Sequence, residues 1–263
     1  MKAVVITGAY GGMGKALAEK LAKEGCCVFA IDKKVEEPKE NIIPIEADIT
    51  CEKSVEAAFE LVNSHTDSVS AIVHFAGIYL LDSLIEMDKA AFDRIFDVNV
   101  KGAFLVNKIF LSLLGKGSRI LITTSELAPL DPLPFTGIYA VTKAALDKYA
   151  YSLRMELQLL EINVSVLRAG AVETDMLGVS TDYLDRFCSE TKLYSCNATR
   201  FKNIVDSVES RCISPNKIAE KAASILKKRK PRFAYSVNRN PLLLLLNMLP
   251  KSLQLWAIKM VLK

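Results

Sequence analysis

The alternation of short β-branched runs with longer helical patterns predicts an α/β fold, a doubly wound parallel sheet in a single domain. Two further observations support it: a glycine-rich turn follows the first apolar run, and an aspartate ends the second. AVVIT (3–7) reads as a strand that enters the turn TGAYGGMG (7–14), and GMGKALAEKLAKE (12–24) has apolar positions at helical spacing. CVFAID (27–32) is a second strand and IIPIEADI (42–49) a weaker third. SVEAAFELVNSH (54–65) is a helix, AIVHFAG (71–77) a strand, and 88–116 one long helix. SRILITTS (118–125), a long helix over 136–160 and the strand NVSVLRAG (163–170) complete the alternation. No internal repeat, low-complexity tract or linker divides the chain, so 1–240 is expected to form one catalytic domain and 241–263 a hydrophobic tail.

Length and composition fit that reading. The 263 residues are 51% hydrophobic and 24% charged, enough for one α/β domain with a buried core. A net charge of +4 is too mild to argue for a nucleic-acid partner, and no zinc-finger, basic-zipper or RNA-reading motif occurs. Six cysteines, Cys26, Cys27, Cys51, Cys188, Cys196 and Cys212, show neither a C-x-x-C pair nor a histidine at zinc spacing. They read as reduced thiols, with no metal site expected. The apolar run in MKAVVITGAYGG is too short for the core of a signal peptide, so a cytoplasmic location is expected.

The first turn is where a nucleotide is expected. Gly8, Gly11, Gly12 and Gly14, with Tyr10 and Met13 among them, join a strand to a helix N-terminus. Glycines let the backbone approach a pyrophosphate, and the helix start offers free N–H groups and a partial positive charge. This makes the fold Rossmann-type. Asp32, at the end of the second strand, is placed to accept hydrogen bonds from ribose hydroxyls and to repel a 2′-phosphate. NAD is therefore favoured over NADP, although Lys33 and Lys34 stand beside the acid and could meet a phosphate.

The chemistry points to GIYAVTKAAL. Tyr139 and Lys143 lie four apart and share a helix face. A tyrosine is a poor acid or base at neutral pH. A nearby ammonium group favours the phenolate and suits the pair to moving a proton on or off an alcohol oxygen.

With these residues in order, the sequence resembles the short-chain dehydrogenase/reductase family, in particular its hydroxysteroid- and retinol-type members. The resemblance covers roughly residues 1–235. It rests on TGAYGGMG, Asp48 in EADIT, HFAG (74–77), NVKGAF with Asn99, Ser125 in ITTS, YAVTK (139–143) and RAGAVETDM (168–176). It implies that Tyr139 is the general acid/base and that Ser125 hydrogen-bonds the substrate oxygen. Lys143 would lower the tyrosine pKa and hold the nicotinamide ribose, and Asn99 would brace a proton-relaying water. Asp48 and Ile49 would meet adenine, Ala76 and Gly77 would line the adenosine side, and Val172 and Thr174 would hold the carboxamide. Each also has a plain structural reading: Asn99 a turn cap, Ser125 and Thr124 a strand end, Thr174 an N-cap. Phe75 stands where the family has an asparagine that ties the sheet together, and it cannot make those hydrogen bonds. Ala169 replaces the usual proline before Gly170, which is expected to loosen the loop near the nicotinamide.

The resemblance also makes about 176–213 a substrate lid. Tyr183, Phe187, Leu193, Tyr194 and Phe201 there, with Leu127, Leu130, Leu133 and Phe135, imply an apolar cavity for a steroid, bile acid, retinoid or lipid-like alcohol or ketone. A nucleotide-sugar epimerase is disfavoured because no large substrate domain follows residue 180, and an NAD-binding sensor without turnover because Tyr139 and Lys143 are both present. Helices 88–116 and 136–160 are apolar on more than one face, which predicts a homodimer or homotetramer. The tail, PLLLLLNMLPKSLQLWAIKMVLK, is split by Pro250 and carries Lys251, Lys259 and Lys263. It is expected to lie on a membrane surface, with KKRKPR (227–232) adding attraction to anionic lipid, or to pack on the substrate cavity or a partner subunit.

Overall fold

A computed structural model describes residues 2–209 and 212–263, except for the side chains of 175–182 and 206–209. The elements run β1 (Ala3–Thr7), α1 (Gly12–Lys23), β2 (Cys27–Asp32), β3 (Ile42–Glu46), α2 (Glu52–Asn63), β4 (Val69–His74), α3 (Lys89–Phe96), α4 (Gly102–Ile109) and β5 (Leu114–Ser125). They continue with α5 (Gly137–Leu157), β6 (Asn163–Ala169), α6 (Asp175–Glu190), α7 (Ser195–Glu209), α8 (Pro215–Lys227), β7 (Ala234–Val237), α9 (Pro241–Met248) and α10 (Lys251–Leu262).

The seven strands form one sheet in the order β3-β2-β1-β4-β5-β6-β7, every pair parallel. Strand order reverses between β1 and β4, which opens a crevice at the carboxyl ends of the strands. Alternate residues of each strand serve opposite faces. Val5, Phe29, Ile72 and Ile120 pack under Val106 and Phe110 of the α4 region and Leu146 and Ala150 of α5. Val4, Ile6, Val28 and Leu121 pack under Leu17 and Leu21 of α1 and Ile218 and Ala222 of α8. Both faces are thus covered, as the continuous apolar strands require.

The structure departs from the sequence expectation in several places. The helix expected over 88–116 is α3, a wider π turn over Asp97–Lys101, α4 and a tight 3-10 turn over Phe110–Leu113, after which Leu114 already belongs to β5. Gly115 and Gly117, the latter at φ +86°, end the helical path. The strands expected to reach 49, 77 and 170 stop at Glu46, His74 and Ala169, and their last residues form loops at the crevice. Ala169 does not loosen its loop: it pairs with Val237, its carbonyl accepts from Glu126 N at 3.0 Å, and Gly170 N donates to Val237 O at 2.9 Å. β7, half-exposed and four residues long, carries too little pattern to be read from sequence.

Phe75 is buried and leaves the bracing role to its neighbour. Thr7 Oγ1 meets His74 Nδ1 at 3.4 Å, His74 Nε2 meets Asn107 Oδ1 at 2.9 Å, and Asn107 Nδ2 donates to Tyr149 Oη at 3.1 Å. This chain ties β1, β4, α4 and α5 together.

The tail is two short helices parted at Leu249 and Pro250. α10 buries Gln254 and Leu262, packs Ile258 beside Phe201 of α7, and its Leu262 carbonyl accepts from Asn197 Nδ2 at 2.7 Å. The basic run 227–232 does not reinforce it. That run lies at the amino end of β7, where Lys228 O accepts from Arg119, whereas α9 leaves the carboxyl end of the same strand.

Candidate active site

The glycine turn is built for close approach. Gly8 has φ +67°, and a Cβ there would lie 2.4 Å from Ala76 N; a Cβ on Gly14 would lie 2.0 Å from Gly8 O. Only hydrogen fits at either place. Gly11 caps α1 with no side-chain hydrogen bond, so the first amides of the helix, those of Gly12, Met13 and Gly14, have no helical acceptor. They border a cavity of about 520 Å³ that Gly8, Tyr10, Asp32, Ile49, Ala76 and Gly77 also line. Free amides beside an uncapped helix start fit a pyrophosphate.

Asp32 holds this cavity's shape. Its Oδ2 accepts from Tyr10 N at 2.9 Å and its Oδ1 from Lys33 N at 2.8 Å. Lys33 Nζ pairs with Asp48 at 2.8 Å, and both Lys33 and Lys34 line the cavity. Asp48 itself does not line it. Its carboxylate accepts from Thr50 N and Thr50 Oγ1, and together with Lys33 these hold it below the usual carboxylate range against the opposing effect of burial. Ala47 and Ile49 face the cavity on either side of it. Arg94 and Tyr79 are lining residues that the sequence did not single out.

A second cavity of about 220 Å³ adjoins the first and shares Met13, Phe75, Gly77, Tyr79 and Thr174 with it. Ser125, Tyr139, Lys143 and Val172 line it, with Leu127, Leu133, Phe201, Ile204, Val205 and Leu243 as apolar walls. Leu130 and Phe135 are absent from the lining. Phe135, at φ +65°, packs on Phe187, Tyr194 and Phe201 and fastens the lid helices to the domain. Leu193 is exposed. The side chains of Asp175 and Met176, at the end of the RAGAVETDM motif, lie outside the described residues.

Within this cavity Ser125 lies close enough to Tyr139 for its hydroxyl to lower the tyrosine pKa, and the Lys143 ammonium lies 5.6 Å from the centre of the tyrosine ring. Thr124 does not compete with Ser125, since its hydroxyl turns to Asp147 at 3.3 Å. Asp147, one turn beyond Lys143, is gripped by Arg168 through Nε at 3.0 Å and Nη2 at 2.7 Å, which fixes α5 against β6. The Tyr79 ring tilts against Tyr139 with centroids 4.8 Å apart. Asn99, on the π turn, is fully buried; its Oδ1 accepts from Ile78 N at 2.8 Å, and its Nδ2 donates to Ile78 O and Thr142 Oγ1. The amide is thus spent on positioning. A Cβ on Gly77 would lie 3.2 Å from Asn99 Oδ1 and 3.3 Å from Lys143 Nζ, so the three residues meet. Thr174 stands at the N-cap of α6 without a capping hydrogen bond and lines both cavities.

The electrostatics differ from the sequence expectation. Burial pushes Tyr139 up to about 12, with the Ser125 hydroxyl pulling the other way, and burial pushes Lys143 down to about 8. Desolvation disfavours the charged form of each. Glu126, next to Ser125, is a further unforeseen group: burial raises its pKa, and its Oε2 accepts from Asn240 N at 2.6 Å. Among the described residues no group of three or more His, Cys, Asp or Glu is placed to hold a metal ion.

A nucleotide cradle joined to a Ser–Tyr–Lys cavity at the switch point of a parallel sheet defines an oxidoreductase that uses a nicotinamide cofactor. The chain belongs to the short-chain dehydrogenase family, whose model matches residues 2–184. It is 30% identical over 195 residues to versicolorin reductase stcU of Emericella nidulans, covering 70% of this chain and 74% of that protein. It is also 30% identical over 186 residues to the hydroxynaphthalene reductase-like protein Arp2 of Metarhizium acridum, covering 66% of this chain and 70% of that one. Among solved structures, a short chain dehydrogenase family protein from Francisella tularensis superposes with a TM-score of 0.76 at 22% identity, covering 90% of this chain and 97% of the other. A 3-ketoacyl-(acyl-carrier-protein) reductase from Brucella melitensis, complexed with NADH, gives 0.73 at 24%, covering 90% and 96%.

Proposed function

We propose that the chain is an NAD(H)-dependent oxidoreductase that interconverts a hydrophobic secondary alcohol and its ketone, with Tyr139 as general acid/base. The observation that carries this reading is the convergence of Ser125, Tyr139 and Lys143 on an apolar-walled cavity that adjoins the glycine cradle. Bound in the cradle, the nicotinamide would donate hydride to the substrate carbon or accept it. The Ser125 hydroxyl holds the substrate oxygen. Tyr139, protonated at neutral pH, gives its proton to that oxygen as the ketone is reduced, and takes it back in oxidation. Lys143, still largely an ammonium at pH 7, stabilises the phenolate left behind. Asn99 holds the segment after β4 so that Gly77 and Lys143 stay in register.

The names of versicolorin reductase, hydroxynaphthalene reductase-like protein and 3-ketoacyl-(acyl-carrier-protein) reductase support ketone reduction, and they add polycyclic aromatic ketones to the steroid, bile-acid, retinoid and lipid-like candidates. The test is consumption of NADH by purified protein across such a panel. Turnover with at least one member is expected. NADH binding without turnover of any would favour a sensor.

Asp32 supports NAD over NADP, because its carboxylate stands in the cavity wall where a 2′-phosphate would meet negative charge. Steady-state assays should show a clear preference for NADH, and Asp32→Ala should narrow it at least tenfold, that is by about 1.4 kcal/mol. A wild-type enzyme equally content with NADPH would refute this assignment. We also infer pairing through α4 and α5, where Phe104, Val141, Tyr151 and Met155 are exposed. Light scattering at micromolar concentration should return a dimer or tetramer; a monomer mass would count against it. Contact of the tail with a membrane surface is inferred independently of this activity.

A further inference from the structure

We propose that the outward faces of α9 and α10 dock on an anionic lipid surface, and that α9 is the port through which an apolar substrate passes from that surface into the catalytic cavity. The port rests on the function proposed above; the docking does not.

The exposed face comes first. Leu242, Leu245 and Met248 follow one another at three-residue spacing along α9 and point to solvent, Met248 being 80% exposed. On α10, Leu253, Leu255, Trp256, Met260 and Val261 are exposed, while the buried side includes the polar Gln254. The tail is therefore inverted relative to a helix that packs only on its own domain, since its large apolar side chains face outward.

Charge selects the occupant. Residues 241–263 contain Lys251, Lys259 and Lys263 and no aspartate or glutamate. Lys251 is paired with Asp131; Lys259 and Lys263 are exposed near Trp256 on the helix surface. A second copy seated by two-fold symmetry would lay this face on itself, lysine against lysine, with no acid within the tail to answer them. Anionic headgroups answer them directly, and a tryptophan flanked by lysines suits the interface between headgroups and acyl chains. Length sets the mode. At roughly 1.5 Å per residue the two helices are about 12 and 18 Å long, against a hydrocarbon core of about 30 Å, and Pro250 parts them. No helix among the described residues is long and apolar enough to cross a membrane, so this pair lies along the surface.

Continuity with the site makes the port. Leu243, on the inner side of α9, lines the cavity that holds Tyr139 and Ser125. Asn240, which caps α9, gives its amide to Glu126 beside Ser125, and Asn247 Oδ1 accepts from Asp131 N at 2.7 Å. One helix two turns long thus has lipid-ready leucines on one side and the catalytic cavity on the other.

Trp256 is the only tryptophan, so its emission reports on the patch directly. Full-length protein is titrated with phosphatidylglycerol vesicles and with phosphatidylcholine vesicles at low and high salt. A blue shift and co-sedimentation with phosphatidylglycerol are expected, weakened by salt and by the neutral lipid. The combined variant Leu242→Ser, Leu245→Ser, Met248→Ser should lose vesicle affinity by at least about tenfold, with NADH binding unchanged as the control on folding. Vesicles that change neither emission nor sedimentation at low salt overturn the docking. So does a blue shift that appears without lipid, rises with protein concentration and vanishes in a monomeric Met260→Glu variant, which keeps Trp256 as the reporter, because the occupant is then a second copy. For the port, the same triple variant should raise KM for a vesicle-dissolved long-chain ketone and not for a water-soluble one; equal KM values for both would discard the port and leave the docking standing.

Discussion

Tyr139→Phe is expected to lower kcat by about 10²- to 10⁴-fold and leave NADH affinity within about twofold, because the tyrosine hydroxyl alone moves the proton. The ring has other duties that phenylalanine keeps. It packs tilted against Tyr79, carries the Lys143 ammonium 5.6 Å from its centre, and helps wall the smaller cavity. The hydroxyl, in the cavity that Ser125 also lines, is the only group removed. Fluorescence titration with NADH separates the two effects, and a variant that turned over within tenfold of wild type would end the acid/base assignment. The pKa of about 12 sharpens the expectation. A phenol held that high at pH 7 is an acid in waiting, and the phenolate it becomes must be stabilised by the nearby ammonium. Lys143→Met should therefore lower kcat as well.

The parts of this site that depend on local spacing were legible in the sequence. A strand, a glycine turn and a helix start lie contiguous in the chain, and Tyr139 and Lys143 are one helical turn apart, so short-range geometry was enough to bring them together. Asp32 was legible for the same reason, as the last residue of its strand. Groups delivered by long-range packing were not. Leu243 reaches the cavity from the far end of the chain, where packing on the cavity was only one of three alternatives for the tail, and Tyr79 and Arg94 come from loop and helix positions whose spacing carries no signature. Glu126 left a trace, an acid directly after an apolar strand and beside Ser125, which could have been weighed as a cavity group. The direction of the Tyr139 shift was misjudged because charge proximity can be read from a sequence and desolvation cannot. Asp48 was assigned by motif, and its carboxylate proved to be engaged by Lys33 and Thr50 instead.

His74 should make the fold acid-labile well above the pH at which carboxylates titrate. The structure buries it between Thr7 and Asn107, with Tyr149 beyond. Burial lowers its pKa from 6.5 to about 4, against the opposing effect of the Asn107 hydrogen bond. No charged side chain takes part in this chain of hydrogen bonds, so nothing compensates an imidazolium there. The folded pKa is lower than the unfolded one, so the unfolded chain binds the proton first as pH falls. The stability this group contributes is therefore complete above about 6.5, is lost between there and about 4, and changes no further below. The loss is about 2 kcal/mol by pH 5 and about 3 kcal/mol by pH 4, a large share of what holds a domain together. Urea melts of wild type and His74→Gln at pH 7 and pH 5 test it. Glutamine can still hydrogen-bond but cannot take up the proton. The variant starts less stable at pH 7 and should lose about 2 kcal/mol less than wild type on going to pH 5. Parallel losses in the two proteins would mean that other groups govern the acid limb and that His74 only packs.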